Sequence, residues 1–298
     1  MRSGIKLKPL AVLAAALLVL ASCQFILPEP EPPAKPAAAG VLTVCFLDVG
    51  QGDCALAELP DGGNMLIDAG NNADADLVCG FLRERGVERV DYLVGTHPHE
   101  DHIGGLDAVI DNFDIGEVIM PRATANTKTF RAVIEALKRK DLKIKTAKAG
   151  VELFNDGEGL SAELLAPVSD RYQNLNNYSA VIKLTYGKTS FLFTGDAEAL
   201  SEREMLDAGE DVSAEVLKVG HHGSDLNSTE EFLDAVSPKY AVISCGAGNV
   251  YGHPRQATLD KLQARGVEYM RTDTDGTIIM ETDGENISVW KQKQSTES

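Results

Sequence analysis

The chain has 298 residues, 44% of them hydrophobic and 24% charged, and a formal net charge of −17 at pH 7. That hydrophobic content permits a sizeable core. The charge argues against a surface built to track long polyanions, which need Lys and Arg stripes facing the phosphates.

The first residues form a separate unit. Arg2, Lys6 and Lys8 precede an apolar stretch from Pro9 to Leu20, followed by Ala21-Ser22-Cys23. A membrane-spanning helix needs about 20 apolar residues, and this stretch is shorter. Residues 1–22 are therefore expected to be a lipoprotein signal peptide, cleaved before Cys23. Cys23 then carries the lipid, and the exported body is anchored to the bacterial cell envelope. Loss of residues 1–22 removes three cations and no acid, so the mature chain is more acidic still. Residues 23–40 contain Pro28, Pro30, Pro32, Pro33 and Pro36 among alanines, a composition that favours extended backbone and predicts a tether. Residues 41–290 are read as one domain without an internal boundary, and 291–298 as a polar tail.

Within the domain, Leu42–Leu47, Cys54–Leu59 and Asn64–Ile67 read as strands, with Pro60-Asp61-Gly62-Gly63 as turn chemistry between the last two. Tyr92-Leu93-Val94 reads as a buried strand. Helical patterns follow at Asp76–Arg85, Leu106–Asn112, Thr129–Lys140, Glu198–Asp207, Thr229–Val236 and Gln256–Arg265. Further strands are expected at Ala180–Tyr186, Thr189–Phe193, Val216–Val219 and Ala241–Ser244. Two mixed sheets covered by helices fit this order. The basic run Lys138-Arg139-Lys140 with Lys143, Lys145 and Lys148 follows a helix and reads as its solvated face. Cys45 and Cys245 lie in apolar strand patterns and read as buried thiols. A Cys54–Cys79 bridge is conceivable in an oxidising compartment, and no CxxC pattern points to a cysteine metal site.

All six histidines fall in three short clusters flanked by glycine or proline: His97/His99/His102, His221/His222 and His253. The first, Thr96-His97-Pro98-His99-Glu100-Asp101-His102-Ile103-Gly104-Gly105, sits between a strand and a helix. A loop there can turn two imidazoles to one cation and the next Asp and His to a second, about 3.5 to 4 Å away. Asp196 follows the strand end Phe191-Leu192-Phe193, where a carboxylate reaches out of the sheet.

The His97–His102 loop matches the HxHxDH signature, and the chain here resembles the metallo-β-lactamase superfamily. Leu47-Asp48-Val49-Gly50-Gln51-Gly52-Asp53, Leu66-Ile67-Asp68-Ala69-Gly70, Phe193-Thr194-Gly195-Asp196, Lys218-Val219-Gly220-His221-His222-Gly223-Ser224 and Asn249-Val250-Tyr251-Gly252-His253-Pro254 resemble the ComEC/Rec2-like branch, the hydrolase domain of DNA-uptake competence proteins. The resemblance covers about residues 41 to 290. It implies an α/β fold, the αβ/βα four-layer sandwich, with two divalent metal ions, Zn²⁺ or Mn²⁺, at one edge. It implies that Asp196 bridges both metals, that His97 and His99 hold one, and that Asp101, His102 and His221 hold the other, with His222 as the alternative to His221.

One departure from many relatives is that no histidine lies between residues 103 and 220, where Asn176-Asn177-Tyr178-Ser179 stands instead. The first metal then has Asn177, Ser179 or water to complete it, and the harder Mn²⁺ gains ground where oxygens replace imidazoles. Asp68 is expected to support the histidine loop. Asp48, Gln51 and Asp53 lie on a turn that serves either structure or substrate, with Gly50 and Gly52 permitting the bend. His253 is expected to donate a proton or hold a phosphate, and Lys218, Ser224, Asn249 and Tyr251 are further candidates for substrate contact.

These residues imply hydrolysis by a metal-bridging hydroxide with Asp101 in the catalytic set, and no GxSxG, Cys/His or phosphate-loop motif competes. The expected activity is that of an envelope-tethered phosphodiesterase or nuclease acting on DNA or an envelope phosphoester. The alternatives are cleavage of a C–N or C–O bond, as in β-lactams or lactones, and a non-catalytic binding lipoprotein.

Overall fold

The structure, a computed structural model, describes Met1 and residues 40–292. The expected signal peptide, Cys23, the tether up to residue 39 and residues 293–298 of the tail lie outside the described residues.

Among the described residues, fifteen strands form two sheets. The chain enters the first with β1 (Leu42–Phe46), β2 (Ala55–Glu58), β3 (Asn64–Ile67), β4 (Arg89–Val94), β5 (Asp114–Met120) and β6 (Ile144–Thr146). It builds the second from β7 (Val151–Asn155), β8 (Leu160–Ala166), β9 (Val181–Tyr186), β10 (Thr189–Phe193), β11 (Val216–Lys218), β12 (Tyr240–Ile243) and β13 (Glu268–Arg271). It then returns to the first with β14 (Thr277–Thr282) and β15 (Ile287–Gln292), which carries regular structure two residues into the expected tail. The orders are β15-β14-β1-β2-β3-β4-β5-β6 and β13-β12-β11-β10-β9-β8-β7. Strands β3 to β6 run parallel to one another, as do β10 to β13.

Helices α1 (Ala75–Glu84), α2 (Glu100–Ile103), α3 (Leu106–Asn112) and α4 (Lys128–Arg139) follow strands of the first sheet. Helices α5 (Ala199–Ala208), α6 (Glu230–Val236), α7 (Gln256–Ala264) and α8 (Thr272–Asp275) accompany the second. Three apolar layers result. Alternation along β1 sends Leu42, Val44 and Phe46 between the sheets and Cys45 toward the helices. On β10, Phe191 and Phe193 point between the sheets while Leu192 meets α5 and α6. Strands buried on both faces read as continuous apolar runs, which is why β1, β3 and β10 were legible. This is the expected αβ/βα sandwich.

The parallel strands matter for function, because ligand sites in such sheets form beyond their carboxyl ends. The ends of β3, β4, β10 and β11 lead directly into Asp68, the His97–His102 loop, Asp196 and His221-His222.

The basic run lies at the surface, and three of its six cations are paired: Arg139 with Asp111, Lys145 with Glu117, and Lys148 with Asp170. The four body cysteines are all buried free thiols, so the conceivable Cys54–Cys79 bridge is not formed. Burial pushes the Cys45 and Cys245 thiols up to about 12, which keeps them protonated.

Phe46 and Phe193 meet across the sheets with ring centroids 5.9 Å apart. Phe46→Ala should therefore cost roughly 3–5 kcal/mol, from lost burial and the cavity left between two rigid sheets. Urea unfolding followed by circular dichroism reads this directly, and a loss below about 1 kcal/mol would contradict the inter-sheet packing.

Candidate metal centre

The histidine loop is held from beneath. Asp68, fully buried at the end of β3, accepts from the Thr96 amide at 2.8 Å and the Thr96 hydroxyl at 2.7 Å, and its Oδ2 lies 2.7 Å from His102 Nδ1. His102 is thereby turned so that Nε2 faces the cleft. Asp68 thus positions His102, as expected, and does not line the cleft. Gly104 brings the following turn against the chain after β3. A Cβ there would lie 2.2 Å from the backbone of Asn71 and Asn72, so no larger residue fits. Gly50 takes a left-handed φ of +65°, and Gly52 instead permits close approach, since its Cβ would meet the Asp101 carbonyl at 2.5 Å.

Two donor groups form. His97, His99 and Asp196 make one; Asp101, His102, Asp196 and His222 make the other. Asp196 belongs to both. Its amide donates to Ser179 Oγ at 3.0 Å, and that hydroxyl also lies 3.4 Å from His97 Nδ1. Ser179 therefore ties the shared aspartate to His97. Asp196 Oδ1 and His102 Nε2 are buried, 3.1 Å apart, and neither has a hydrogen-bond partner among the described residues. Orphaned polar atoms of this kind, converging on one point, suit a cation.

The second cluster departs from the sequence expectation. His222, the alternative, is the buried one: its Nε2 lies 3.2 Å from Asp101 Oδ2, and its Nδ1 lies 3.0 Å from the Ser244 carbonyl and 3.2 Å from Asp53 Oδ1. His221, the expected ligand of that group, faces elsewhere. The cause is backbone geometry: His221 and His222 both adopt left-handed φ, +47° and +54°, which throws successive side chains apart. Asp53 accepts from Lys218 Nζ at 2.8 Å. Asp53 and Lys218 thus back His222 from below, as Asp68 backs His102.

Several other candidates serve the scaffold. Asn177 Oδ1 accepts from the amides of Glu198 and Ser201 at the start of α5. Asp48 Oδ1 accepts from the Gly50 amide, and Ser224 Oγ from the Leu226 amide. Asn249 clamps the turn around Tyr251, donating to the Gly246 and His253 carbonyls and accepting from the His253 amide. Gln51 Oε1 takes the Gly246 amide. Asn176, which sequence reasoning passed over, does line the cleft. Its Nδ2 donates to Glu198 at 3.0 Å, leaving a buried Oδ1 without a partner among the described residues. The doubled Asn176-Asn177 was the available signal, but only packing separates the cap from the cleft residue.

Gln51, His99, Glu100, Asp101, Asn176, Asp196, His221, His222, Tyr251 and His253 enclose a cavity of about 350 Å³ open to solvent. Tyr251, 59% exposed, stacks on His253 at its rim. Burial, with His221, His222 and Arg255 nearby, lowers His253 to about 4, so it meets the cavity as a neutral imidazole at pH 7. Burial also opposes charge on His222, but Asp196, Asp101 and Asp53 outweigh it and push His222 up to about 10. The same balance of burial against Asp196, Asp68 and Asp101 holds His102 well above its ordinary value. Burial and the neighbouring His102 keep His97 well below its own.

His102 and His222 thus carry protons at pH 7 in the metal-free chain, and a cation must displace them. Metal loading should release roughly two protons and weaken as pH falls. Calorimetric titration in two buffers of different ionisation enthalpy measures this, and identical heats in both would contradict it.

A family model described as the metallo-beta-lactamase superfamily matches residues 47–247. ComE operon protein 3 of Bacillus subtilis is 31% identical over 252 residues, 79% of this chain and 32% of that protein. Competence protein ComA of Neisseria gonorrhoeae is 31% identical over 277 residues, 92% of this chain and 36% of that protein. The chain thus spans about a third of the length of these relatives. Among solved structures, CmlA, a diiron β-hydroxylase from Streptomyces venezuelae, superposes with a TM-score of 0.51 at 16% identity, covering 82% of this chain and 53% of CmlA, a likeness of fold. With this match, the two helix-covered sheets and the shared-aspartate donor set, the chain belongs to the metallo-beta-lactamase superfamily as a metal-dependent hydrolase.

Proposed function

We propose that the protein is a binuclear phosphodiesterase, acting on nucleic acid or on a phosphoester of the cell envelope. The observation that carries the reading is the pair of donor groups meeting on Asp196 at the floor of an open cleft. Zn²⁺ or Mn²⁺ ions there, when bound, supply a hydroxide near neutral pH and neutralise charge developing on phosphorus-bound oxygens. His97, His99 and Asp196 would hold one ion; Asp101, His102, Asp196 and His222 would hold the other.

The chain's own residues do the rest. Asp68 and Asp53 fix the imidazoles of His102 and His222 by their Nδ1 sides, so that each presents Nε2 to the cleft. His253, neutral and at the cavity wall, can hydrogen-bond the leaving oxygen through its N–H, which fits holding a phosphate better than the expected proton donation at pH 7. Tyr251 gives the leaving group an aromatic face at the rim. No Lys or Arg lines this cavity among the described residues, and the chain is strongly acidic. A small ester or the end of a single strand therefore suits it better than a long duplex. Similarity to proteins named for competence supports nucleic acid as a substrate class and an envelope setting. Lipid anchoring at Cys23 is part of the proposal and rests on the Leu20-Ala21-Ser22-Cys23 sequence.

Residues 24–298 loaded with Mn²⁺ or Zn²⁺ should cleave bis(p-nitrophenyl) phosphate and single-stranded DNA, and Asp196→Ala should fall to background. Cleavage of nitrocefin alone would move the protein to amide hydrolysis, and silence on all three substrates would favour a binding protein. In the full chain, Cys23→Ser should shift the protein from the membrane to the soluble fraction; unchanged membrane retention would exclude the lipid anchor.

A further inference from the structure

The group of His97, His99 and Asp196 is one imidazole short of a familiar three-histidine set, and no histidine lies between residues 103 and 220 to complete it. The geometry of Asp196 points to another source. Its Oδ1 faces the second group, 3.1 Å from His102 Nε2 and 3.7 Å from His222 Nε2. Its Oδ2 faces the first, 3.7 Å from His97 Nε2 and likewise 3.7 Å from His221 Nε2. We propose that His221 supplies the missing imidazole to the metal site of His97, His99 and Asp196, so that two adjacent histidines serve one metal each. The inference rests on the two-metal reading above.

Three further observations agree. First, His221 and His222 occupy consecutive left-handed conformations, which non-glycine residues rarely take and which persist where function demands them. That turn is what sends the two rings to opposite oxygens of one carboxylate. Second, three of the imidazoles at the centre are held on their Nδ1 sides: His102 by Asp68, His222 by Ser244 with Asp53 nearby, and His97 by Thr96 and Ser179. His221 Nδ1 lies 3.5 Å from Asn176 Nδ2 and 3.8 Å from Glu198 Oε1, so the carboxylate stands behind the ring without a direct hydrogen bond to it. A carboxylate behind a metal-bound imidazole sets its tautomer and frees Nε2 for the ion. Third, Glu198 is itself fixed by the side-chain amides of Asn174, Asn176 and Asn177, which makes it a rigid support. The segment of residues 174–177 thus acts through Glu198 and His221. The His221 side chain is 21% exposed against 2% for His222, which places it at the solvent side of the centre.

The test reads metal rather than turnover. His221→Asn and His221→Gly use the residues that best tolerate a left-handed φ, so the turn is kept. Titration of the metal-free protein with Co²⁺, followed by calorimetry and visible absorption, should give two equivalents for the wild type. Both variants should keep one equivalent at near wild-type affinity and weaken the other at least about ten-fold. Combining His221→Asn with His99→Ala should cost the same equivalent, whereas His221→Asn with His222→Asn should cost both. Two equivalents of unchanged affinity in both His221 variants would overturn the assignment and leave His221 to the substrate. Fewer than two equivalents in the wild type would overturn the two-metal reading and this inference with it, whereas two equivalents without phosphodiester cleavage would sink only the proposed substrate class.

Discussion

Burial of the Asp196 carboxylate is the constraint around which the centre is organised. It is 2% exposed at the end of a strand whose flanking residues are apolar. A lone carboxylate in such a place is costly, and it persists only where positive charge or a cation meets it. Four imidazole Nε2 atoms do so within 4 Å, two on each oxygen, and although burial opposes its charge, His102, His222 and His97 hold Asp196 well below the usual carboxylate range. Each ring in turn meets a partner at its other nitrogen: Asp68 for His102, the Ser244 carbonyl with Asp53 nearby for His222, Thr96 and Ser179 for His97, and the Asn176 amide with Glu198 nearby for His221. One buried charge thus draws supporting side chains from the residue after β3, the turn after β1, the segment before β9 and the start of α5.

The sandwich makes this possible because both of its parallel segments end at the same edge. Loops from the first sheet bring His97 to His102, and loops from the second bring Asp196, His221 and His222. The close approach at Gly52 and Gly104 packs the histidine loop against the turns after β1 and β3. Rigidity of this kind serves hydrolysis, since donors set before substrate arrives need not reorganise during reaction. The same arrangement leaves Tyr251 and His253 at the rim of the cavity.

Much of the fold was legible. The strands Asn64–Ile67 and Thr189–Phe193 and the helix Leu106–Asn112 fall where the pattern put them, because their apolar periodicity is uninterrupted. Strands β5 to β8 and β13 to β15 went unread. Several of them are edge or half-exposed strands, such as Ile144–Thr146 and Ile287–Gln292, whose residues alternate weakly and whose stability comes from partners distant in the chain. In the candidate site, the HxHxDH loop and Asp196 stood out because several ligand-type residues crowd a few positions. Asn177 did not betray its role as a helix cap, nor Asn176 its place in the cleft, since adjacent identical residues carry no sign of direction.

The sequence by itself determined the superfamily, the chemical class of the donors and the strand ends on which they ride, since these depend on local composition and spacing. Tertiary structure alone decided which of His221 and His222 faces which oxygen of Asp196, that Asp53 and Lys218 stand behind His222, and that the cysteines remain free thiols. The physical reason is the same in each case. Direction at a left-handed turn, pairing across two sheets and distance between thiols are set by backbone dihedrals and long-range packing, which residue identity alone does not specify.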